Sequence, residues 1–377
     1  MNIPFNKPYL SGNVLASIQH VLDSGKLSGD GAVCKTVERR MELLFHIRYT
    51  LLTTSGTHAL ETAMMLLGLQ SGDEVITPSF TFVSTANAII RCGGKPVFCE
   101  INGRTLTMDV QDVERKISSR TKAIVPVHYA GVSADMDELC ALAHTHQCMV
   151  VEDAAQGVNA RYKGKFLGTI GDLGAYSFHD TKNYICGEGG ALLTNDEPLA
   201  RRAEIIREKG TNRSNFLRGE VDKYTWVDLG SSYVLSDILA AVLNDQLNEL
   251  DAIQQRREKI HRAYIAGLTE LEQLEKLRLP VIPEYCASNY HIFYVLLPDA
   301  AQRNRLLTKL KEAGVGATFH YIPLHSSPYA QNVLGLKDLK LPVTDTVSNS
   351  LLRLPLYPQL ADDQVQYVIE QVKKILR

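Results

Sequence analysis

The chain has 377 residues, 45% hydrophobic and 22% charged, which is ordinary globular composition and excludes wholesale disorder. At about 150 residues per domain, the length predicts two domains. Forty Lys plus Arg against 42 Asp plus Glu leave a formal charge of −2, which gives no electrostatic support for nucleic-acid binding. No run approaches the ~18 consecutive apolar residues of a membrane span. The opening MNIPFNKPYLSGN has no basic segment followed by an apolar one, so a cytoplasmic protein is expected. The seven cysteines are scattered without a C-x2-C pair, and no metal site is expected.

In chain order, YTLLT (49–53) reads as a strand, followed by Ser55-Gly56-Thr57 and a helical run over 58–67. EVIT (74–77) is a second strand, with a helix-like run to Ile90. PVFCE (96–100), AIVPV (123–127) and MVVE (149–152) are further strands, separated by helical patterns at 110–117 and 136–143. This alternation predicts a mainly parallel sheet, buried on both faces by helices. Strands are also expected at 176–179 and 191–195. One long helix is expected from about Leu235 to Gly267. A strand (291–297), a helix (301–313), a strand (315–319) and a final helix (362–376) predict a smaller α+β domain. The expected boundaries are 1–250 for a large domain, its N-terminal segment near the active-site mouth, and 251–377 for a small one.

Three short segments could carry chemistry. Asp153 closes an apolar strand at the edge where open α/β sheets bind ligands, but a plain helix N-cap explains it equally well. Lys182 follows a strand in SFHDTKN. A solvated surface lysine and a reactive amine for an aldehyde cofactor are both open readings. Thr54-Ser55-Gly56-Thr57 offers N–H groups and hydroxyls at a helix start, suited to a phosphate or simply to capping. Together, a phosphate cradle, an acid at a strand edge and a later lysine meet the requirements of pyridoxal 5′-phosphate. The lysine holds the aldehyde, the acid keeps the ring nitrogen protonated, and Phe82 is placed to stack on the ring.

TSGTHAL (54–60), TPSFTFVSTANA (77–88), VPVHYAG (125–131), VEDAAQG (151–157), SFHDTKN (177–183), GEGGALLTN (187–195), HYIPLH (320–325) and LPLYP (354–358) span the chain. With these motifs it resembles the DegT/DnrJ/EryC1/StrS family of sugar aminotransferases. The resemblance implies the fold-type-I pyridoxal phosphate architecture, with a large, mainly parallel, seven-stranded-type sheet domain and a smaller α+β C-terminal domain. It implies that Lys182 is the Schiff-base lysine, that Asp153 pairs with the ring nitrogen, and that Gln156, where many relatives have His, approaches the ring hydroxyl. Gly56, Thr57 and Ser177 match the phosphate-binding positions, and Phe82 the stacking aromatic. Ser232 stands where relatives usually carry an Asn given to the phosphate of a neighbouring subunit. A homodimer or higher homo-oligomer with shared active sites is therefore implied.

SGKLSGDG (24–31) and REKGTNRSNFLRGEVDKYTW (207–226) resemble a narrower branch of that family. That branch takes the amine of L-glutamate to C4 of dTDP-4-dehydro-6-deoxy-D-glucose. Lys26, Arg213, Arg218, Tyr321 and His325 are then candidate contacts to the nucleotide sugar, with a surface cation or packed loop residue as the alternative for each. Amination at C3, a gluco-configured product and a non-catalytic pyridoxal phosphate-binding regulator also remain open. No helix-turn-helix extension or basic arm supports the last.

Overall fold

The computed structural model describes all residues 1–377. Its strands, in chain order, are β1 (Tyr49–Thr53), β2 (Glu74–Pro78), β3 (Lys95–Cys99), β4 (Thr121–Ile124), β5 (Met149–Asp153), β6 (Arg161–Tyr162), β7 (Lys165–Phe166), β8 (Leu173–Ser177), β9 (Gly190–Thr194), β10 (Cys286–Ala287), β11 (Phe293–Leu296) and β12 (Leu351–Leu354). Seven of them form one sheet in the order β1-β9-β8-β5-β4-β2-β3. All its strands run parallel except β9, which is antiparallel to both neighbours. The sheet's own core covers both its faces, one half built on Ile76, Ile124 and Tyr176 and the other on Leu51, Val75 and Val151. The near-continuous apolar strands of the sequence are thus explained by burial on two sides.

Because β1 is an edge strand, its outer N–H and C=O groups need partners from outside the sheet. Glu38 and Glu42, on the helix Ala32–Phe45, accept the N–H groups of Leu52 (3.0 Å) and Thr50 (3.3 Å). Arg207 donates to the Leu52 carbonyl at 2.8 Å. This arginine is 2% exposed and pairs with Glu38 at 2.6 Å and Asp30 at 2.7 Å. The cluster fixes β1, whose end leads directly into Ser55-Gly56-Thr57.

A second apolar core sits among Tyr264, Phe293, Val295, Leu310, Leu354 and Val368. Around it pack β11 and β12, which pair antiparallel, and the helices Leu250–Gln273, Ala300–Glu312 and Asp362–Leu376. Ile3, at the very start of the chain, is buried in this core and bridges Val315. β10 crosses back to pair with β6 beside the large sheet.

Three expectations are corrected. The strand expected at 176–179 is β8, Leu173–Ser177. The long helix over Leu235–Gly267 is two helices, Asp237–Gln246 and Leu250–Gln273. At the break, Asn248 and Glu249 donate to carbonyls three residues back. Arg40 takes the freed Asn244 carbonyl at 2.8 Å and the Asn248 side chain at 2.9 Å, an external cation ending the first helix. The strand over 315–319 is only two isolated bridges. Val315 pairs with Ile3 and Thr318 with Arg353, so this segment changes partner midway and never builds a ladder. The helices Val14–Ser24 and Ala32–Phe45 were not anticipated.

Arg207→Ala leaves Glu38 and Asp30 with only the half-exposed Lys35 as a cationic partner and frees the Leu52 carbonyl at the β1 edge. It is expected to cost about 3–5 kcal/mol in urea unfolding, whereas Arg201→Ala, at an exposed ion pair, is expected to cost less than about 1 kcal/mol.

Candidate active site

The carboxyl ends of the parallel strands open into a cavity of about 540 Å³, which also reaches the second core. It is lined by Ser55, Gly56, Thr57, Phe82, Asp153, Gln156, Ser177 and Lys182 from the sheet side, by Tyr321, His320, His291, Arg257 and Arg353 from the other, and by Phe5 and Asn6 from the N-terminal segment. Of the residues expected to touch cofactor, only Ser232 is absent from this lining. Ser232 is exposed, its backbone bridged to Glu208.

Helix Gly56–Leu67 presents its N-terminus to the cavity. The Ser55 hydroxyl accepts the N–H of His58 at 3.1 Å, while the N–H groups of Gly56 and Thr57 have no protein acceptor. These free donors at a positive helix end suit an anion. Gly56 is required by close approach, since a Cβ there would sit 2.8 Å from Cβ of Ser177, at the end of β8. The Thr57 hydroxyl shares a hydrogen bond with Ser84 at 2.8 Å.

Alternation along β5 separates two acids. Glu152 is fully buried. It accepts three N–H groups, from Gly168, Ile170 and Gly171, at 2.6–2.7 Å, and lies 2.8 Å from His128. The next residue, Asp153, lines the cavity instead. Its carboxylate accepts the Thr85 hydroxyl at 2.7 Å and the Ala155 N–H at 3.2 Å. With no cation bonded to it, it is available to a protonated ring nitrogen. Gln156 is oriented at both ends of its amide, accepting from the N–H of Ala130 (2.7 Å) and donating to the Tyr321 hydroxyl (2.9 Å).

Lys182 lies on the loop after β8. Its neighbour Asn183 anchors that loop across to the second core, donating to the Asn289 carbonyl and facing His291 Nδ1, both at 2.8 Å. Desolvation in the cavity pulls the amine down to about 8, with nearby Arg353 adding to the effect and Asp153 opposing it. A substantial neutral fraction therefore exists near neutral pH, as a nucleophilic or proton-moving amine needs. His320 is held well below its usual range by burial first, then by Arg353 and Lys182. Phe82 stands at the mouth, 57% exposed, with its ring centre 6.4 Å from that of Tyr321.

These residues fit pyridoxal 5′-phosphate. Free helix N–H groups with hydroxyls face the place for a phosphate, a carboxylate and an amine occupy the same cavity, and an aromatic ring stands at its mouth. The expected nucleotide-sugar contacts fall differently. Tyr321 lines the cavity. His325 is buried beside it, bonded to the Ser79 hydroxyl at 2.7 Å and 3.4 Å from Asp345. Lys26 is exposed, Arg213 pairs with Glu208, and Arg218 with Glu204 and Glu220, all outside the cavity of a single chain. Arg353, Thr85 and the N-terminal Phe5 were missed. For Arg353 a signal existed, since LLRL places a charged residue inside an otherwise apolar strand.

The model of the DegT/DnrJ/EryC1/StrS aminotransferase family matches residues 8–373. The spore coat polysaccharide biosynthesis protein SpsC of Bacillus subtilis (strain 168) is 36% identical over 383 residues, covering 100% of this chain and 97% of that protein. A pleiotropic regulatory protein of Geobacillus stearothermophilus is 37% identical, over 86% of this chain and 84% of that one. Among solved structures, the putative sugar aminotransferase Spr1654 of Streptococcus pneumoniae superposes with a TM-score of 0.92 at 27% identity. It covers 100% of this chain in both its PMP and PLP forms, with 98% and 99% of that chain matched.

The depressed amine has a direct readout. In the cofactor-free protein, acylation of Lys182 by a limiting anhydride, followed by peptide mass spectrometry, is expected to rise half-maximally near pH 8, while exposed lysines rise near pH 10 to 11, marked by their ordinary ~10.4. A Lys182 that titrates with the exposed lysines contradicts the desolvation.

Proposed function

Because the chain belongs to the DegT/DnrJ/EryC1/StrS aminotransferase family and uses pyridoxal 5′-phosphate, we propose that it moves the amino group of L-glutamate to C4 of dTDP-4-dehydro-6-deoxy-D-glucose. The products are 2-oxoglutarate and dTDP-4-amino-4,6-dideoxy-D-galactose, a precursor for cell-surface polysaccharide such as enterobacterial common antigen. The observation that carries the transamination is Lys182 and Asp153 in one cavity with a helix N-terminus whose Gly56 and Thr57 N–H groups have no protein acceptor. The choice of sugar is supported by the segments 24–31 and 207–226. These two segments meet in the fold through the Asp30–Arg207 pair.

When bound, the cofactor supplies a protonated ring that accepts the electrons of the carbon losing its proton. The chain's residues do the rest. The Gly56 and Thr57 N–H groups and the Ser177 hydroxyl would hold the phosphate. Asp153, kept in place by Thr85, would hold a proton on the ring nitrogen. Gln156 would bond the ring hydroxyl and Phe82 would pack on the ring. Lys182 would hold the cofactor's aldehyde and, as a free amine, would take or return the proton at the glutamate Cα or the sugar C4. Its value of about 8 lets it both take and return that proton near neutral pH.

The reading includes a cytoplasmic homodimer with shared sites, Ser232 of each chain serving the other's phosphate. No helix is long and apolar enough to cross a membrane. Trp226 (77% exposed), Leu229 (70%) and Leu217 (66%) give the 207–229 region an apolar surface consistent with an interface.

Lys182→Ala is expected to abolish the Schiff-base absorbance band of the reconstituted protein and slow turnover at least about 1000-fold. Asp153→Asn, of equal size, is expected to slow turnover on the order of 100-fold with thermal unfolding little changed. Retained turnover in either variant contradicts the assigned role. Incubation with glutamate and the 4-keto sugar, followed by NMR of the product, tests the substrate. An amine at C4 in the galacto configuration is expected. An amine at C3 or a gluco product redirects the specificity, and cofactor binding without turnover points to a regulator.

A further inference from the structure

His325 is buried, yet neither it nor its partner Ser79 belongs to the cavity lining. Ser79 follows β2 and binds the segment 324–325 at three points. Its carbonyl accepts the N–H of Leu324 at 2.9 Å. Its hydroxyl accepts the N–H of His325 at 3.0 Å and lies 2.7 Å from His325 Nδ1. The other ring nitrogen, Nε2, faces the Asp345 carboxylate at 3.4 Å. A carboxylate facing Nε2 places the ring proton there, which leaves Nδ1 to accept from the Ser79 hydroxyl. Burial favours this neutral ring, with Asp345 opposing it.

The two ends of this clasp are the roots of two turns that do line the cavity. From Ser79 the chain runs to Thr81 and Phe82. The Thr81 hydroxyl pairs with that of Thr85 at 3.0 Å, and Thr85 holds Asp153. Back from His325, Pro323 leads to Tyr321 and His320. Ser348 donates to the Tyr321 carbonyl at 2.5 Å. Ser348 and Asp345 share the helix Pro342–Ser350, whose first N–H groups are capped by Glu100 at 2.9 Å. The Tyr321 hydroxyl accepts from Gln156 Nε2 at 2.9 Å. With Gln156 Oε1 committed to Ala130, one amide N–H remains for the ring oxygen. Packing of Leu324 against Ala86, Phe98 and Leu341 already buries the segment. Packing is not directional, whereas three hydrogen bonds to one serine are.

We propose that Ser79 and His325 are positioning residues, a clasp between the turns 79–82 and 320–325 that aims Tyr321, and through it the Gln156 amide, at the cofactor ring. His325 acts from outside the cavity and does not touch the nucleotide sugar. The proposal rests on the reading that Gln156 meets the ring hydroxyl.

The test compares the holoenzymes of wild type, Ser79→Ala, His325→Gln and His325→Asn, each first checked by thermal unfolding. An asparagine carbonyl stands near the place of Nδ1 and can accept from Ser79. A glutamine amide stands near the place of Nε2 and leaves Ser79 unmet. Ser79→Ala and His325→Gln are expected to slow both half-reactions, with L-glutamate and with the 4-keto sugar, about 10-fold or more in kcat. KM values are expected to change less than about threefold. The pH at which the near-visible band titrates is expected to rise about half a unit or more, because an N–H facing the ring oxygen favours its anionic form. His325→Asn is expected to recover most of both effects. The double variant of Ser79→Ala with His325→Gln is expected to be no slower than either single one.

An unmoved band in Ser79→Ala and His325→Gln overturns the proposal, whatever the unfolding temperature does. If the band is equally unmoved in Gln156→Ala, the reading of Gln156 fails with it. Rescue by His325→Gln instead of His325→Asn, with the loss confined to KM for the sugar, also overturns it and makes Nε2 a sugar contact. If Ser79→Ala does not fold, the two His325 variants decide. If wild type does not aminate the 4-keto sugar, the substrate reading fails, while the band and the glutamate half-reaction still decide the clasp.

Discussion

Charge enclosed with Lys182 sets the conditions for the rest of the site. The amine, the Asp153 carboxylate and the Arg353 guanidinium share a cavity where solvent screens poorly, so the two fixed neighbours bias the amine in opposite directions. Desolvation alone would push the lysine towards its neutral form, and Arg353 pushes in the same direction. Asp153 pulls back, and the balance falls near 8. That balance depends on the Asp153 carboxylate being aimed into the cavity, which is the work of Thr85 and the Ala155 N–H. It depends equally on Glu152 facing the other way, where three backbone N–H groups and His128 absorb its charge.

The scaffold serves that arrangement from two directions. On one side, the Arg207–Glu38–Asp30 cluster closes the open edge of β1, so the strand that delivers Gly56 and Thr57 is fixed although beyond it no strand pairs, only the single Thr53–Val234 bridge. On the other, Arg257 gathers three loop carbonyls, and Asn183 ties the Lys182 loop to Asn289 and His291. The lysine is thus positioned by contacts across both cores. The site would loosen if either core shifted, which gives a physical reason for a two-core chain to carry one cavity.

Much of this was legible in the sequence because burial on both faces leaves apolar runs that are easy to see. β1 spans the same residues as YTLLT, and the final helix starts and stops where its pattern does. The strand read at 176–179 lies at Leu173–Ser177 instead, since Leu173-Gly174-Ala175 has small residues where bulky ones signal a strand. Reading one helix through Leu235–Gly267 failed because a partner distant in sequence, Arg40, ends the first segment. Residues of the site followed the same division. Asp153, Gln156, Ser177 and Lys182 announce themselves at strand ends. Arg353 and Phe5 become neighbours of the site only through long-range folding, and Lys26, Arg213 and Arg218 lie on surfaces that one chain's cavity does not include.

The role of Lys182 as the residue that carries the cofactor is the centre of the account. Reducing the holoenzyme with borohydride fixes the cofactor to whichever amine holds it, and digestion with peptide mass spectrometry then locates that amine. The account predicts a single modified peptide, with the added mass on Lys182. A cofactor fixed to any other lysine, or no fixed cofactor in a protein that shows the near-visible band, contradicts it.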